Sequence, residues 1–259
     1  MINYNWKIVL IGAGNVGYHL GNRLYEKGLR IQQVFSRVKE KAENLASEVN
    51  AQAITKLSNI TLDADLYILA VHDSAIAEVA TQLPVLDKLV VHTSGATPST
   101  ALQPHFQRFG IFYPLQTFSI SKEVDFEQIP ICVHANQEAD LQALENLARQ
   151  ISPKVYRIDD EQRAILHVAA VFVNNFTNYL FQIGYDILEK EKLPFDLLRP
   201  LIRETAAKVQ EHPPVEMQTG PAIRGDHATI DKHLQYLGRS PEYKHLYELL
   251  TENIKSLKA

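Results

Sequence analysis

The chain has 259 residues, 46% of them hydrophobic and 22% charged, with a formal net charge of −4 and one cysteine. Such a length and apolar fraction can bury a sizeable core, so a mainly disordered chain is excluded and one or two domains are expected. The lone Cys132 excludes an internal disulfide framework and a thiolate metal cluster, no metal site is expected, and the mildly acidic balance argues against a nucleic-acid partner.

No run approaches the roughly 18 consecutive apolar residues of a membrane span. The opening Met1-Ile2-Asn3-Tyr4-Asn5-Trp6-Lys7 does not read as a signal peptide. A cytoplasmic protein with no membrane partner is expected.

In chain order, residues 7–11 read as a strand and 16–27 as a helix, then 31–35 as a strand and 38–49 as a helix. Residues 65–71 form a strongly apolar strand, followed by a helix over 74–83 and a strand over 88–92. Residues 131–135, 138–151 and 154–158 read as strand, helix and strand. Strands that alternate with helices and are apolar on both faces predict an α/β domain over 1–158, with a Rossmann-type, mostly parallel, doubly wound sheet.

From residue 159 no strand pattern remains. Asp159 caps a long helix to about Lys190, and residues 195–211 form a second, broken by His212-Pro213-Pro214. A third covers 226–237 with Asp226 as its cap. Ser240-Pro241 opens the last, which runs to about Leu257. Residues 159–259 are therefore expected to be an all-α domain.

Gly12-Ala13-Gly14-Asn15-Val16-Gly17 matches G-x-G-x-x-G directly after a strand and at the start of a helix. Gly12 permits the tight turn, Gly14 lets backbone approach a pyrophosphate, and Gly17 lets the helix pack against the strand. The amides at the helix start, including those of Asn15 and Val16, face the phosphates. The second strand ends in Ser36-Arg37, where an NAD-preferring fold would carry an acid. A hydroxyl and a guanidinium suit a 2′-phosphate, so the expected cofactor is NADP, as NADPH.

Val71-His72 ends the third long strand and belongs to the expected cofactor site, because ligands of such sheets bind at the carboxyl ends of the strands. Asp73 or Ser74 there can cap the next helix. The following strand ends in His92-Thr93-Ser94-Gly95-Ala96. Gly95 allows close backbone approach and Ser94 is a substrate-contacting candidate.

Residues 167–180, HVAAVFVNNFTNYL, read as a buried helix, apolar nearly all round. At about 100° per residue His167, Asn174 and Asn178 share one side, with Asn175 on the flank. Such a stripe either pairs with other helices or lines a ligand cavity. His167 is the first choice for acid–base chemistry, and Asn174 and Asn178 for orienting a substrate. In the segment 219–226, TGPAIRGD, Arg224 can clamp an anionic group, or the segment can be an ordinary turn with Asp226 as a cap.

The order of a glycine loop, a Rossmann pattern and a helical part opened by an Asn-bearing helix resembles the superfamily of 6-phosphogluconate dehydrogenase, ketopantoate reductase and pyrroline-5-carboxylate reductase. More closely, VVHTSGATPSTAL near residue 91, FYPLQTF (112–118), HVAAVFVNNFTNYL (167–180) and TGPAIRGDHATIDKHL (219–234) resemble a family of Rossmann-like oxidoreductases with a C-terminal domain of unknown function. That resemblance favours a functional role for Arg224 and Asp226. It also implies a homodimer formed through the helical domain. Two departures stand out. Val171 occupies the place of the catalytic lysine in 6-phosphogluconate and hydroxyisobutyrate dehydrogenases, and Tyr113 replaces a histidine found in related sequences. Imine reduction stays open, because pyrroline-5-carboxylate reductases also lack the lysine.

The sequence thus predicts an NADP-dependent oxidoreductase that moves a hydride between nicotinamide and a small carbonyl, imine or hydroxy substrate, with anionic substrates included. The substrate is expected in the cleft between domains. Tyr113 is the second choice for acid–base chemistry. The alternative is an NADP(H)-binding sensor or scaffold without turnover.

Overall fold

The computed structural model describes residues 6–257; the stretch Met1–Asn5 of the signal-peptide reading lies outside them. Two compact units divide between Val171 and Phe172. The change from mixed to all-helical structure comes earlier, after the last strand at Arg157.

The first unit is an eight-stranded sheet: β1 (Lys7–Ile11), β2 (Arg30–Phe35), β3 (Gln52–Ile54), β4 (Leu66–Leu69), β5 (Leu89–His92), β6 (Phe109–Pro114), β7 (Ile131–Ala135) and β8 (Val155–Arg157). Their spatial order is β3-β2-β1-β4-β5-β6-β7-β8, with all pairs parallel except β6 with β7. The first six follow the doubly wound order 3-2-1-4-5-6. Two of these strands, β3 and β6, are additional to the pattern read from sequence. β3 has only three residues at the sheet edge, and β6 carries Gly110, where a side chain would meet the His134 carbonyl at 2.1 Å.

Helices α1 (Asn15–Glu26), α2 (Lys39–Glu48), α3 (Ile76–Gln82) and α4 (Glu138–Ile151) connect the strands. Alternate residues of β1 serve opposite layers. Ile8 and Leu10 pack with Leu20, Leu24, Leu45 and Leu144, while Val9 and Ile11 pack with Ile76, Ala80 and Leu102. The sheet is therefore buried on both faces, as its apolar strands require. Cys132 is a buried residue of β7, and burial pushes its thiol up to about 11, so it packs rather than reacts.

α5 (Asp160–Ala170) closes the first unit. Asp159 caps it in a reciprocal capping box with Gln162. The helical run continues through a π-turn (Val171–Phe176) into α6 (Thr177–Lys190).

The second unit adds α7 (Arg199–Glu211), α8 (Pro221–Arg224), α9 (His227–Leu237) and α10 (Pro241–Ser256). Asp226 caps α9 through the Thr229 amide. Ser240 stands at the cap position of α10, but its hydroxyl bonds Lys190 Nζ instead of a helix amide. Tyr243 donates to Asp186 and Tyr236 to Glu191, tying α6 to α9 and α10.

One expectation fails here. The helix read as buried is exposed in the single chain: Phe172, Val173, Phe176, Tyr179, Leu180, Phe181 and Tyr185 all lie open, as do Asn174 and Asn178. The helical unit has too few residues to wrap it, and α7 has no buried residue at all. The π-turn also breaks the 100° count on which the stripe was drawn, since its i→i+5 bonds add a residue to the turn. By length and composition the run Asp160–Lys190 is apolar enough to cross a membrane, with a mean hydropathy of 1.3 in its best window and none of that window buried. A search for unbroken apolar runs overlooks it because Asn174, Asn175, Thr177 and Asn178 interrupt the pattern.

Candidate active site on the Rossmann unit

The register sets Phe35, Ile11, Leu69, His92 and Ile111 in one row across β2, β1, β4, β5 and β6. Beyond this row the ladder extends by one residue per strand. Gly12 N–H donates to the Phe35 carbonyl, Ala70 N–H to Ile11 and Thr93 N–H to Leu69, at 2.8, 2.8 and 3.1 Å. The loops after β1, β4 and β5 therefore emerge side by side at the carboxyl ends of the strands.

The glycines there fit a dinucleotide. Gly12 has φ +118°, and a side chain on it would meet the Ala70 carbonyl oxygen at 2.2 Å. A side chain at Gly17 would meet the Gly12 oxygen at 2.0 Å, so the helix must be bare there to sit on the loop. Nothing lies within 4 Å of the place a Gly14 side chain would take. The start of α1 has no side-chain cap and no acid in its first turn. Its amides, with Asn15 exposed and Val16 half-buried, face an open cradle that suits an anion.

At the end of β2 the Ser36 hydroxyl accepts from the Val38 amide at 3.2 Å and keeps its proton for another acceptor. Arg37 is exposed and forms no ion pair among the described residues. Val71 is half-buried and His72 exposed. Neither Asp73 nor Ser74 caps a helix; His72 precedes a short 3-10 turn and its carbonyl accepts from Ala75. A separate concavity of about 440 Å³, lined by Tyr25, Arg30 and Asn50, lies at the amino ends of the strands and is not where such sheets bind ligands.

The loop after β5 is the other half of the site. Ser94, 5% exposed, uses its hydroxyl oxygen to accept from the Ala96 and Thr97 amides at 3.2 and 2.9 Å. Its own amide donates to His92 Nδ1 at 3.2 Å, while His92 Nε2 faces the Pro98 carbonyl at 3.3 Å. Burial lowers His92 to about 4, so it is a neutral brace of the loop.

Two polar atoms converge over the next residue. A side chain at Gly95 would come within 2.6 Å of His167 Nδ1 and 2.8 Å of the Tyr113 hydroxyl. The His167 Nδ1 atom is buried and has no partner. Burial raises the Tyr113 phenol to about 12, helped by Cys132 and Asp73 and opposed by Arg163, so the phenol stays protonated at neutral pH. The structure thus brings Tyr113 and His167 together over Gly95, while the Ser94 hydroxyl serves the amides of its own loop.

Asn174, Asn178 and Arg224 belong to the second unit. There Arg224 is exposed at the end of the four-residue α8, while Asp226 is engaged as a helix cap.

Residues that the sequence reading passed over stand behind the loop. Arg163 is 1% exposed and pairs with Asp160 at 2.7 Å and with the Thr97 carbonyl. Asp160 also accepts from the Ser99 amide and hydroxyl, at 2.9 and 2.8 Å. Burial works to raise the Asp160 carboxyl, but its bonds from Ser99 and Arg163 win and hold it below the ordinary range. A signal existed: Arg163 sits one helical turn before His167, on the same side of the helix.

Comparison with known proteins agrees with this geometry. Residues 7–95 match the family described as NADP oxidoreductase, coenzyme F420-dependent, and residues 129–254 match a domain of unknown function, DUF2520. A Bacteroides fragilis protein provisionally named an NADP oxidoreductase is 44% identical, with 97% of this chain and 98% of that one covered and a TM-score of 0.90. This chain belongs to that NADP oxidoreductase family. The Thermotoga maritima protein TM1727 is 22% identical over 96% of this chain and 97% of its own, at a TM-score of 0.72. A reductive aminase from Aspergillus terreus, solved with NADPH and ethyl levulinate, shares the fold at 16% identity and a TM-score of 0.69, covering 97% of this chain and 98% of its own. None of the curated proteins matches the chain at a significant level.

The matched N-terminal region contains the glycine cradle and ends at Gly95. Tyr113 lies outside both matched regions, while His167 and Arg163 lie within DUF2520.

Proposed function

We propose that the protein is an NADPH-dependent reductase of a small carbonyl or imine substrate. The observation that carries this is the meeting of a protonated Tyr113 phenol and an unpartnered, buried His167 Nδ1 at the carboxyl end of the sheet, beside the glycine cradle. When bound, the nicotinamide supplies a hydride to the substrate carbon. The developing charge on oxygen or nitrogen then needs a proton. Tyr113 gives its hydroxyl proton to that atom, and His167, half-exposed, takes a proton from solvent and restores the phenol.

Gly12, Gly14, Asn15, Val16 and Gly17 would hold the pyrophosphate, with Val71 and His72 lining the same loops. Ser36 and Arg37 would bind a 2′-phosphate, which is the reason for preferring NADPH. Ser94 on the first unit is a further candidate for substrate contact, and on the second unit Asn174 and Asn178 are candidates for orienting a polar group and Arg224 for holding an anionic one. The absence of a lysine at Val171 is compatible with imine reduction.

The protein would act as a homodimer in the cytoplasm. Five aromatic residues between Phe172 and Tyr185 lie open on a helix apolar enough to need cover. Each aromatic can bury about 150–250 Å², so this helix alone approaches the roughly 800 Å² per partner of a stable interface. A second copy suits it better than lipid, because hydrocarbon would strand the amides of Asn174, Asn175 and Asn178.

The test is a thermal-shift comparison of NADPH with NADH, followed by loss of nicotinamide absorbance with a panel of keto and imino acids. Greater stabilisation by NADPH and consumption by a panel member support the reading. Stabilisation without any consumption favours the sensor alternative, and no shift with either nucleotide overturns both.

A further inference from the structure

Arg163 is a buried cation anchored by Asp160 and the Thr97 carbonyl, neither of which belongs to the glycine cradle. Its Nη1 holds Asp160, its Nη2 holds the Thr97 carbonyl, and its Nε is buried without a partner. Asp160 in turn grips the backbone and hydroxyl of Ser99, itself 2% exposed. The loop between Ser94 and Ser99 is thereby tied at two points to the first turn of α5. His167 lies one turn further along the same helix and Gly95 lies in the same loop.

We propose that Arg163 is a positioning residue, whose bonds to Asp160 and Thr97 fix the 94–99 loop against α5 so that the Tyr113 hydroxyl and His167 Nδ1 meet over Gly95. This rests on the reading that Tyr113 and His167 supply the proton, but the placement itself can be tested without a substrate. A buried guanidinium is an expensive way to hold a loop, since desolvation opposes it and an apolar residue of similar volume often stabilises a fold as well or better. What it supplies that an apolar residue cannot is two directed bonds of fixed geometry.

The experiment uses the full-length protein labelled with ¹⁵N-histidine, in long-range ¹H–¹⁵N spectra, with the His167 ring signals assigned by their loss in His167→Gln. In the parent protein, Tyr113→Phe is expected to shift the His167 Nδ1 resonance. In Arg163→Met and in Ser99→Ala that response should be lost or reduced several-fold, and Arg163→Lys should restore part of it. A residue that only braced the fold would lower the melting temperature and leave the response intact, so an unchanged response in Arg163→Met overturns the proposal. If Arg163→Met does not fold, Ser99→Ala and Asp160→Asn decide, because they loosen the anchor and keep the cation. If Tyr113→Phe leaves His167 unmoved in the parent, the proton-supply pair itself is wrong, and this proposal falls with it.

Discussion

Gly95 shows how one residue can carry a site. Its missing side chain leaves the small space that Tyr113 and His167 share. Gly95→Ala should therefore bind NADPH nearly as the parent does, yet lose turnover by on the order of 100-fold, because displacements of about 1 Å have that effect. His92 makes a separate prediction about stability. Its folded value of about 4 lies below the ordinary 6.5 because the ring is buried. A base with a depressed value contributes fully above its unfolded value, and that contribution is lost as pH falls from about 6.5 toward 4. At most about 3 kcal/mol is at stake. Asp160, also depressed, loses its contribution at still lower pH. Urea unfolding between pH 7 and 4 should be steeply pH-dependent in the parent and flatter in His92→Asn; equal slopes would contradict the neutral-brace role.

At the scale of elements, the end of β2 and the exposed run from the π-turn into α6 each support a prediction. Arg37→Ala should raise the Kd for NADPH by about 10- to 100-fold, the range of a charge-assisted hydrogen bond, and leave NADH binding unchanged. Isothermal titration with both nucleotides checks it. Phe176→Glu combined with Tyr179→Glu should shift the protein from dimer to monomer in size-exclusion chromatography with light scattering; a monomeric parent would remove the dimer reading. The same region explains what sequence periodicity could not supply. A helical wheel assumes one fixed angle per residue, and the π-turn at Val171–Phe176 violates it between His167 and Asn178. The apolar character of residues 167–180 was read correctly, but burial depends on what covers a helix, and a single chain does not cover this one.

For the molecule as a whole, the Rossmann-type alternation of strand and helix was legible because strands such as β1 and β4 are apolar on both faces and the glycine loop marks the first crossover. The helical C-terminal part was legible from its caps, Asp159, Asp226 and Ser240-Pro241. β3 escaped because three edge residues carry no pattern, and β6 because Gly110 and Pro114 look like loop residues. The candidate site was half legible for the same reason. The cradle follows from local spacing, whereas the Tyr113–Gly95–His167 convergence and the Arg163 anchor join β6, the β5 loop and α5, which are far apart in the chain. The most direct test of the account is nicotinamide absorbance loss measured with the most active member of the keto- and imino-acid panel, for the parent and Tyr113→Phe, at saturating NADPH. The account predicts NADPH-dependent reduction by the parent and a fall on the order of 100- to 10,000-fold in Tyr113→Phe with unchanged NADPH affinity. Tight NADPH binding with no reduction by the parent, or full activity in Tyr113→Phe, would contradict it.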